Sequence, residues 1–389
     1  MGPLIYIAVG EHSGDVLGSR LMMALREIRP DLCFAGIGGP RMTELGFETL
    51  FPMNDLAVMG FVEVLPAIWK LSRRMSETVS DIKAKAPQIV VTIDSPGFML
   101  RLLRRISNVN VKRAHYVAPQ VWAWREQRVK KFPGLWDTLL CLLPFEPAWF
   151  HDHGVPAVFV GHPVLQSGAD DGDPERFRAR FNVSPLATII IFMPGSRPSE
   201  VRTLLPIFEA TLALLREHAP EIVAVIPSAL TVAGEIMDAV ANWQTKPIIV
   251  TDISEKHDAF AAASAALTKS GTSTLELALA GVPMAVTYRV SPISAWFARR
   301  MIRVPYVAMI NILAGRALVP ELLQGACSPS ILAQTLLGLL GNQKLADAQR
   351  TGFRETLKQL KPRSGDPAAA AAREILALLD QTDDTGMFI

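Results

Sequence analysis

Short apolar runs alternate along this chain with longer stretches in which apolar residues recur every three or four positions. Leu4–Val9, Leu32–Ile37, Pro87–Asp94, Lys112–Val117, Asp137–Leu143 and Val155–Val160 read as strands. Several are apolar throughout rather than alternating, as strands buried on both faces of a parallel sheet are. Between them Leu17, Leu21, Met22 and Leu25 follow helical spacing, as do Phe61, Leu65, Ile68, Leu71 and Met75. The second half repeats the plan, with strands predicted at Thr188–Met193, Ile222–Ile226, Pro247–Thr251, Ala263–Leu267 and Met284–Tyr288. Alternating β and α implies parallel sheets with right-handed crossovers. The predicted class is therefore α/β, with two Rossmann-like domains facing a cleft. The stretch 166–174, Q-S-G-A-D-D-G-D-P, is polar and acidic and is predicted to be the interdomain linker. The predicted domains are residues 1–165 and 166–350, followed by helices over 351–389. The last residues, from Gln381, read as a loose tail.

A chain of 389 residues suits two domains. Half of its residues are hydrophobic and the mean hydropathy is +0.26, which implies a large core or a membrane-surface face. No apolar run reaches about 18 residues, so no transmembrane helix is expected. The N-terminus enters a strand at once, without a basic segment or cleavage site, which argues against a signal peptide. A net charge of +2 excludes general nucleic-acid affinity. Cys33, Cys141 and Cys327 are far apart and fit reduced thiols in the cytoplasm. Trp69 with Lys70, Arg73 and Arg74 marks either a core-facing helix or one lying on anionic lipid. Ser291–Val304, carrying Trp296, Phe297, Arg299, Arg300 and Arg303, is ambiguous in the same way.

Candidate chemistry sits where strands end. Ligands of open α/β sheets bind beyond the carboxyl ends of the strands. Gly10-Glu11-His12-Ser13-Gly14-Asp15 follows the first strand. It is neither G-x-G-x-x-G nor G-x-S-x-G, so neither a dinucleotide fingerprint nor a nucleophile elbow is present. It is either a substrate-approach turn, with Glu11 on a sugar hydroxyl, or a tight turn in which Asp15 caps the helix. Asp94, followed by Ser95-Pro96-Gly97, is placed to be a general base or a helix cap. Trp122-Ala123-Trp124-Arg125 could stack on a sugar, line an acyl groove or pack internally. His151-Asp152-His153 and Asp171-x-Asp173 resemble metal motifs but fit a solvated helix end and a linker better. In the second half, Pro194-Gly195-Ser196-Arg197 leads from a strand into a helix, a place that suits phosphate or merely a solvated Arg. Ser270-Gly271-Thr272 offers hydroxyls and free N–H groups to a diphosphate, and Glu276 can accept both hydroxyls of a ribose. Asn311 and Arg316 lie in an irregular loop from which they could reach a cleft.

Taken together these stretches resemble the lipid-A-disaccharide synthase family, membrane-associated glycosyltransferases of the two-Rossmann (GT-B) kind. The matching residues are Gly10-Glu11-x-Ser13-Gly14-Asp15, Gly39-Pro40-Arg41-Met42, Leu56–Gly60, Ile93-Asp94-x-Pro96, Trp122–Arg125, Leu143–Glu146 and Gly161-His162. Pro194–Arg197 with Glu200, Ser270–Thr272 with Glu276, and Asn311-x-Leu313–Arg316 follow in the family's order.

The resemblance implies transfer of 2,3-diacylglucosamine from its UDP derivative to 2,3-diacylglucosamine 1-phosphate. The product would be the β-1,6 disaccharide 1-phosphate of lipid A and lipopolysaccharide biosynthesis, plus UDP. Asp94 matches the family's proposed base and Arg197 its diphosphate-contacting Arg. Glu11 and Asn311 match residues implicated in catalysis. Ser196, Ser270, Gly271, Thr272, Glu276 and Arg316 match the UDP-sugar site, with no metal or cofactor expected. The family implies peripheral attachment to the inner face of the inner membrane through Phe61, Leu65, Ile68, Trp69 and Leu71 or through Trp296 and Phe297. Its C-terminal helices return to the N-terminal domain of the same chain or of a partner, a homodimer in the latter case. The chain departs from the family at Gly97, Met99 and Ile310, where Asp, Asn and Pro are usual, which bears on the acceptor pocket. Other readings are a different GT-B enzyme, such as a UDP-N-acetylglucosamine transferase or 2-epimerase, an NAD(P)-linked oxidoreductase, and a non-catalytic sugar-nucleotide sensor.

Overall fold

A computed structural model describes residues 2–56, 64–291, 295, 300–301 and 303–383. The chain divides into two compact units, Met1–Pro163 with Leu360–Ile389, and Val164–Gln359. In the first unit β1 (Leu4–Val9), β2 (Cys33–Ile37), β3 (Ile89–Ile93), β4 (Lys112–Tyr116), β5 (Thr138–Cys141) and β6 (Ala157–Phe159) form one parallel sheet in the order β2-β1-β3-β4-β5-β6. In the second unit β7 (Ile189–Met193), β8 (Val223–Pro227), β9 (Ile248–Val250), β10 (Ala265–Lys269), β11 (Met284–Tyr288) and β12 (Glu321–Leu323) form another, ordered β12-β11-β10-β7-β8-β9. Each sheet grows outward in both directions from a central pair. The order reverses between β1 and β3 in one unit, and between β7 and β10 in the other. At such a switch point the flanking connections leave to opposite sides and open a crevice at the carboxyl edge.

The strands form where the apolar runs predict because both faces are covered. Ile5, Ile7, Val9, Ile89, Val91 and Ile93 are fully buried on one sheet, and Ile190, Phe192, Ala265 and Leu267 on the other. Helix Pro367–Asp383 completes the first core from the far end of the sequence. Its Ala368, Ala371, Ala372, Ile375 and Leu379 recur at helical spacing and lie in the same cluster as Leu17, Leu21 and Leu25 of helix His12–Ile28. The chain re-enters this unit at Leu360, whereas helix Gln343–Lys358 stays with the second unit. His162 N donates to Leu360 O, and a Cβ on Gly161 would overlap Pro362.

Three local expectations change. The segment 166–174, expected as the linker, is part of the second unit: Asp173 caps helix Pro174–Arg180 by accepting from Glu175 N and Arg176 N, and Gly172 lies against the His257 backbone. Strand β10 runs two residues further than the pattern suggests, which carries Lys269 to its end. Strand β12, only three residues long, was not predicted.

Candidate active site

In the first unit the switch point falls between Val9 and Ile93, which are paired in register. The turn after β1 leads through Glu11, the N-cap of helix His12–Ile28. The turn after β3 contains Asp94 and Ser95, both in the left-handed region with φ of 55° and 43°. Two consecutive non-glycine residues held there carry strain that the surrounding packing has to support. Asp94 N donates to Tyr116 O, which anchors the turn on β4. Ser13 Oγ donates to Asp94 Oδ2 at 2.9 Å, so the carboxylate is held by the neighbouring turn. Gly10 makes this approach possible, since a Cβ there would run into the Ser95 side chain and reach Met99. Glu11 and Ser13 are exposed, and Asp94 is half-buried. Asp15 serves a different purpose from capping its own helix. Fully buried, its carboxylate accepts from Gly39 N, Arg41 N and Met42 N at 3.0 to 3.2 Å and caps the next helix, Pro40–Glu44.

In the second unit Thr268 pairs with Met193, so the turns after β7 and β10 are neighbours. Gly195 has φ of 117°, and a Cβ there would overlap Glu200 Oε2. Arg197 is the N-cap of the 21-residue helix Pro198–His218 and is exposed, with Nη1 3.5 Å from Glu200 Oε1. Ser196 is exposed beside it. From the adjacent strand Lys269 Nζ meets the same Glu200 Oε1 at 2.9 Å. The Ser270 hydroxyl donates to Val307 O at 2.6 Å, and Thr274 Oγ1 donates to Gly271 O. Thr272 is exposed at the entrance to helix Ser273–Leu279. Glu276 is one turn in and half-buried, and its Oε1 accepts from Lys256 Nζ at 2.9 Å. The predicted residues Ser196, Arg197, Ser270, Gly271, Thr272 and Glu276 thus sit around one switch point, together with Glu200, Lys269 and Lys256.

The family described as lipid-A-disaccharide synthetase matches residues 5–375. The lipid-A-disaccharide synthase of Granulibacter bethesdensis is 57% identical over 390 residues, covering 97% of this chain and 99% of that protein. The chain belongs to the lipid-A-disaccharide synthase family. It is a glycosyltransferase of lipid A biosynthesis. Among solved structures, UDP-GlcNAc 2-epimerase from Neisseria meningitidis bound to UDP-GlcNAc superposes with a TM-score of 0.65 at 10% identity, covering 97% of this chain and 100% of that one. CalG4, the calicheamicin glycosyltransferase, gives 0.59 at 15% identity, with 98% of each chain covered. At these identities the likeness establishes the fold, two Rossmann-like units of the GT-B kind.

Within this lipid-A-disaccharide synthase family member several motif residues do structural work. Asn311 is fully buried and does not reach outward. Its Oδ1 accepts from Leu318 N and Val319 N, and its Nδ2 donates to Val319 O and Glu321 Oε1, all at 2.9 Å. Glu321 in turn accepts from Val307 N and Ala308 N, and Val307 O receives the Ser270 hydroxyl. Asn311 therefore braces the loop that holds Ser270. Arg316 points to solvent and lies 3.8 Å from an equally exposed Glu355. The Trp-x-Trp motif splits: buried Trp122 donates its indole N–H to Glu146 Oε1 at 3.0 Å, while Arg125 stacks over the half-exposed Trp124 at 4.3 Å. Glu146 also accepts from Leu142 N and Leu143 N, and burial pushes its carboxyl up to about 7 against the pull of those three donors. His151 Nε2 accepts from Ala157 N and His153 Nδ1 lies 2.7 Å from Trp149 O, and among the described residues no group of three or more His, Cys, Asp or Glu side chains could hold a metal ion.

The residues missed from sequence are Ser13 as the partner of Asp94, Lys269 and Glu200 as a half-buried pair, and Glu321. Nothing in spacing announces Ser13–Asp94, which are 81 residues apart. The pattern did carry one signal for Lys269, a charge between an apolar strand and a Ser-Gly-Thr turn. Phe61, Trp296 and Phe297 lie outside the described residues, as do the side chains of Leu65 and Ile68. Among the described residues no helix is long and apolar enough to cross a membrane.

Proposed function

We propose that the enzyme transfers 2,3-diacylglucosamine from UDP-2,3-diacylglucosamine to 2,3-diacylglucosamine 1-phosphate with inversion. The product is the β-1,6-linked disaccharide 1-phosphate, and UDP leaves. The observation that carries this is the Ser13–Asp94 pair at the first switch point, an oriented carboxylate open to solvent at a substrate edge. Asp94 takes the proton of the acceptor 6-hydroxyl as that oxygen attacks C1 and the bond from C1 to the diphosphate oxygen breaks. Arg197 and the Ser270–Thr272 turn neutralise the charge that develops on UDP, and Glu276 receives the ribose hydroxyls. Glu11 orients a sugar hydroxyl beside the base. Asn311 contributes by bracing the donor turn. Arg316 belongs to the donor side as a longer-range cation.

Both substrates carry acyl chains, which supports peripheral attachment to the inner face of the inner membrane. Trp69, 77% exposed on helix Val64–Lys85, favours this. Lys70 and Arg74 contribute less to it than their charges suggest, because Asp55 and Glu77 meet them within the protein. Incubation of the purified enzyme with the acylated donor and acceptor, followed by detection of disaccharide and UDP, tests the proposal. Asp94→Asn keeps the fold and UDP affinity and loses most turnover; a rate near wild type removes Asp94 from the base role.

A further inference from the structure

The second switch point holds a lysine that the family motifs do not include. Lys269 ends β10, directly before Ser270-Gly271-Thr272, and its register partner on β11 is Thr287. Its ammonium is 3.8 Å from where a Cβ on Gly271 would stand and 5.8 Å from the centre of the Tyr288 ring. Only 19% of its side chain is exposed, and the Glu200 side chain that meets it is 10% exposed. A lysine in such a setting must be paired, because burying a lone ammonium is costly. The pairing is nevertheless lopsided. Glu200 Oε1 takes both Lys269 Nζ at 2.9 Å and Arg197 Nη1 at 3.5 Å, while Glu200 Oε2 is buried with no hydrogen-bond partner among the described residues. Two cations share one carboxylate oxygen, so the group carries net positive charge at the carboxyl edge, between the two turns that flank the crevice.

We propose that Lys269 is a second cationic contact to the donor diphosphate, and that Glu200 is the positioning residue that keeps Lys269 and Arg197 aimed at it. This rests on the reading of the second unit as the UDP-sugar site. Glu200 comes from the first turn of helix Pro198–His218 and Lys269 from the neighbouring strand, so the pair also ties the two phosphate-facing turns together. A lysine left loose on the surface would give a point charge with many rotamers. Held by Glu200, it is already oriented when the anion arrives. The carboxylate also limits how tightly the product UDP is retained, since it stays beside the diphosphate after transfer. Gly195 is the residue that permits this geometry, because any side chain there would displace the Glu200 carboxylate.

The test uses calorimetric titration of the whole enzyme with UDP and with uridine, which lacks the phosphates. Removing Lys269 alone leaves the Glu200 carboxylate with only the longer Arg197 contact, so the comparison is Glu200→Gln against Glu200→Gln/Lys269→Met, with folding checked by thermal unfolding. The double variant is expected to bind UDP about tenfold or more weakly than Glu200→Gln, the loss of one charge-assisted contact, with uridine affinity equal in the two. Lys269→Arg is expected to retain UDP binding near wild type. Equal UDP affinity in the single and double variants overturns the assignment, as does an equal loss for UDP and uridine. If wild type binds no UDP at all, the placement of the donor site fails, and Lys269 with it.

Discussion

Asn311→Ala separates a bracing role from a role in direct substrate contact. The side chain makes four hydrogen bonds inside the second unit, and its removal strips Val319 N and Val319 O of the partner they have among the described residues, while Leu318 N keeps Arg316 O. Each stranded peptide group costs ~1–3 kcal/mol, so the loss is roughly 4 kcal/mol even if the loop relaxes. For a unit of this size about 2–4 °C of Tm follows each kcal/mol, which gives a fall of roughly 10 °C. Because Glu321 and Val307 lie between Asn311 and Ser270, UDP affinity is expected to fall as well, at temperatures where the protein remains folded. Differential scanning calorimetry with and without UDP reads both effects. Asn311→Asp adds a check on sign. Its carboxylate still accepts from Leu318 N and Val319 N but loses the donor to Val319 O and sits beside Glu321, so this variant should regain stability as pH falls and the new group takes up a proton. A Tm within about 2 °C of wild type for Asn311→Ala, combined with lost turnover, refutes bracing and returns Asn311 to direct contact with substrate.

Ser13→Ala should lower kcat about tenfold with donor KM unchanged, the cost of one orienting hydrogen bond, and Ser13→Thr should restore most of it; an unchanged kcat shows that the pair is incidental. Burial lowers His115 and His162 to about 4, so each is neutral in the fold and charges first in the unfolded chain. Stability they support is complete above the unfolded value near 6.5 and is lost as pH falls toward 4, roughly 3 kcal/mol for each, which urea unfolding at a series of pH values measures. Glu146, raised to about 7, works in the opposite direction: it is destabilising as pH rises from its unfolded value near 4.5 to 7, and Glu146→Gln flattens that limb. That replacement also sets an amide N–H₂ against N–H donors and should cost about 2 kcal/mol near neutral pH, read from the same curves. Trp69→Glu should release the protein from anionic vesicles in a flotation assay without changing Tm; unchanged flotation removes this helix from the membrane face.

The central strands β1, β3 and β7 were legible because their apolar runs are buried on both sides, and burial on both sides leaves no polar positions to blur the pattern. Strand β12 was not, because Glu321–Leu323 is too short to show a period and opens on a charged residue whose carboxylate serves the 307–311 segment. Asp94 and Arg197 stand out in the sequence because each follows an apolar run at a turn, and the structure places both at the carboxyl edge of a sheet. What stayed hidden was pairing at long range. Asp15 reads as a cap for its own helix, yet its partners are the peptide groups of Gly39, Arg41 and Met42. Asn311 reads as a polar residue in a loop and therefore as exposed, whereas it lies buried on the helix Met309–Ala314 and the segment 318–321 uses all of its amide capacity. Trp122 and Glu146 look like two separate motifs and form one buried hydrogen bond.

The two units share a topology but not a charge pattern, and the difference points to a division of labour. Each sheet begins with its central strand and reverses beside it, so each offers one crevice at a carboxyl edge. Around the first, between β1 and β3, the turns present Glu11 and Asp94 with the Ser13 hydroxyl on the latter. Around the second, between β7 and β10, they present Arg197 and Lys269, with Glu200 beneath them. An anionic group that must accept a proton suits the first setting, since nothing in its Ser13 contact needs to break for the other carboxylate oxygen to act. An anionic leaving group suits the second, where two cations outnumber the carboxylate that orients them. The transfer proposed above draws on both: without the proposed base the acceptor oxygen stays protonated, and without the proposed cationic contacts the diphosphate leaves as an uncompensated anion. A fold duplicated in outline can serve both ends of the reaction because the switch point fixes only where side chains gather. The turn residues fix their sign.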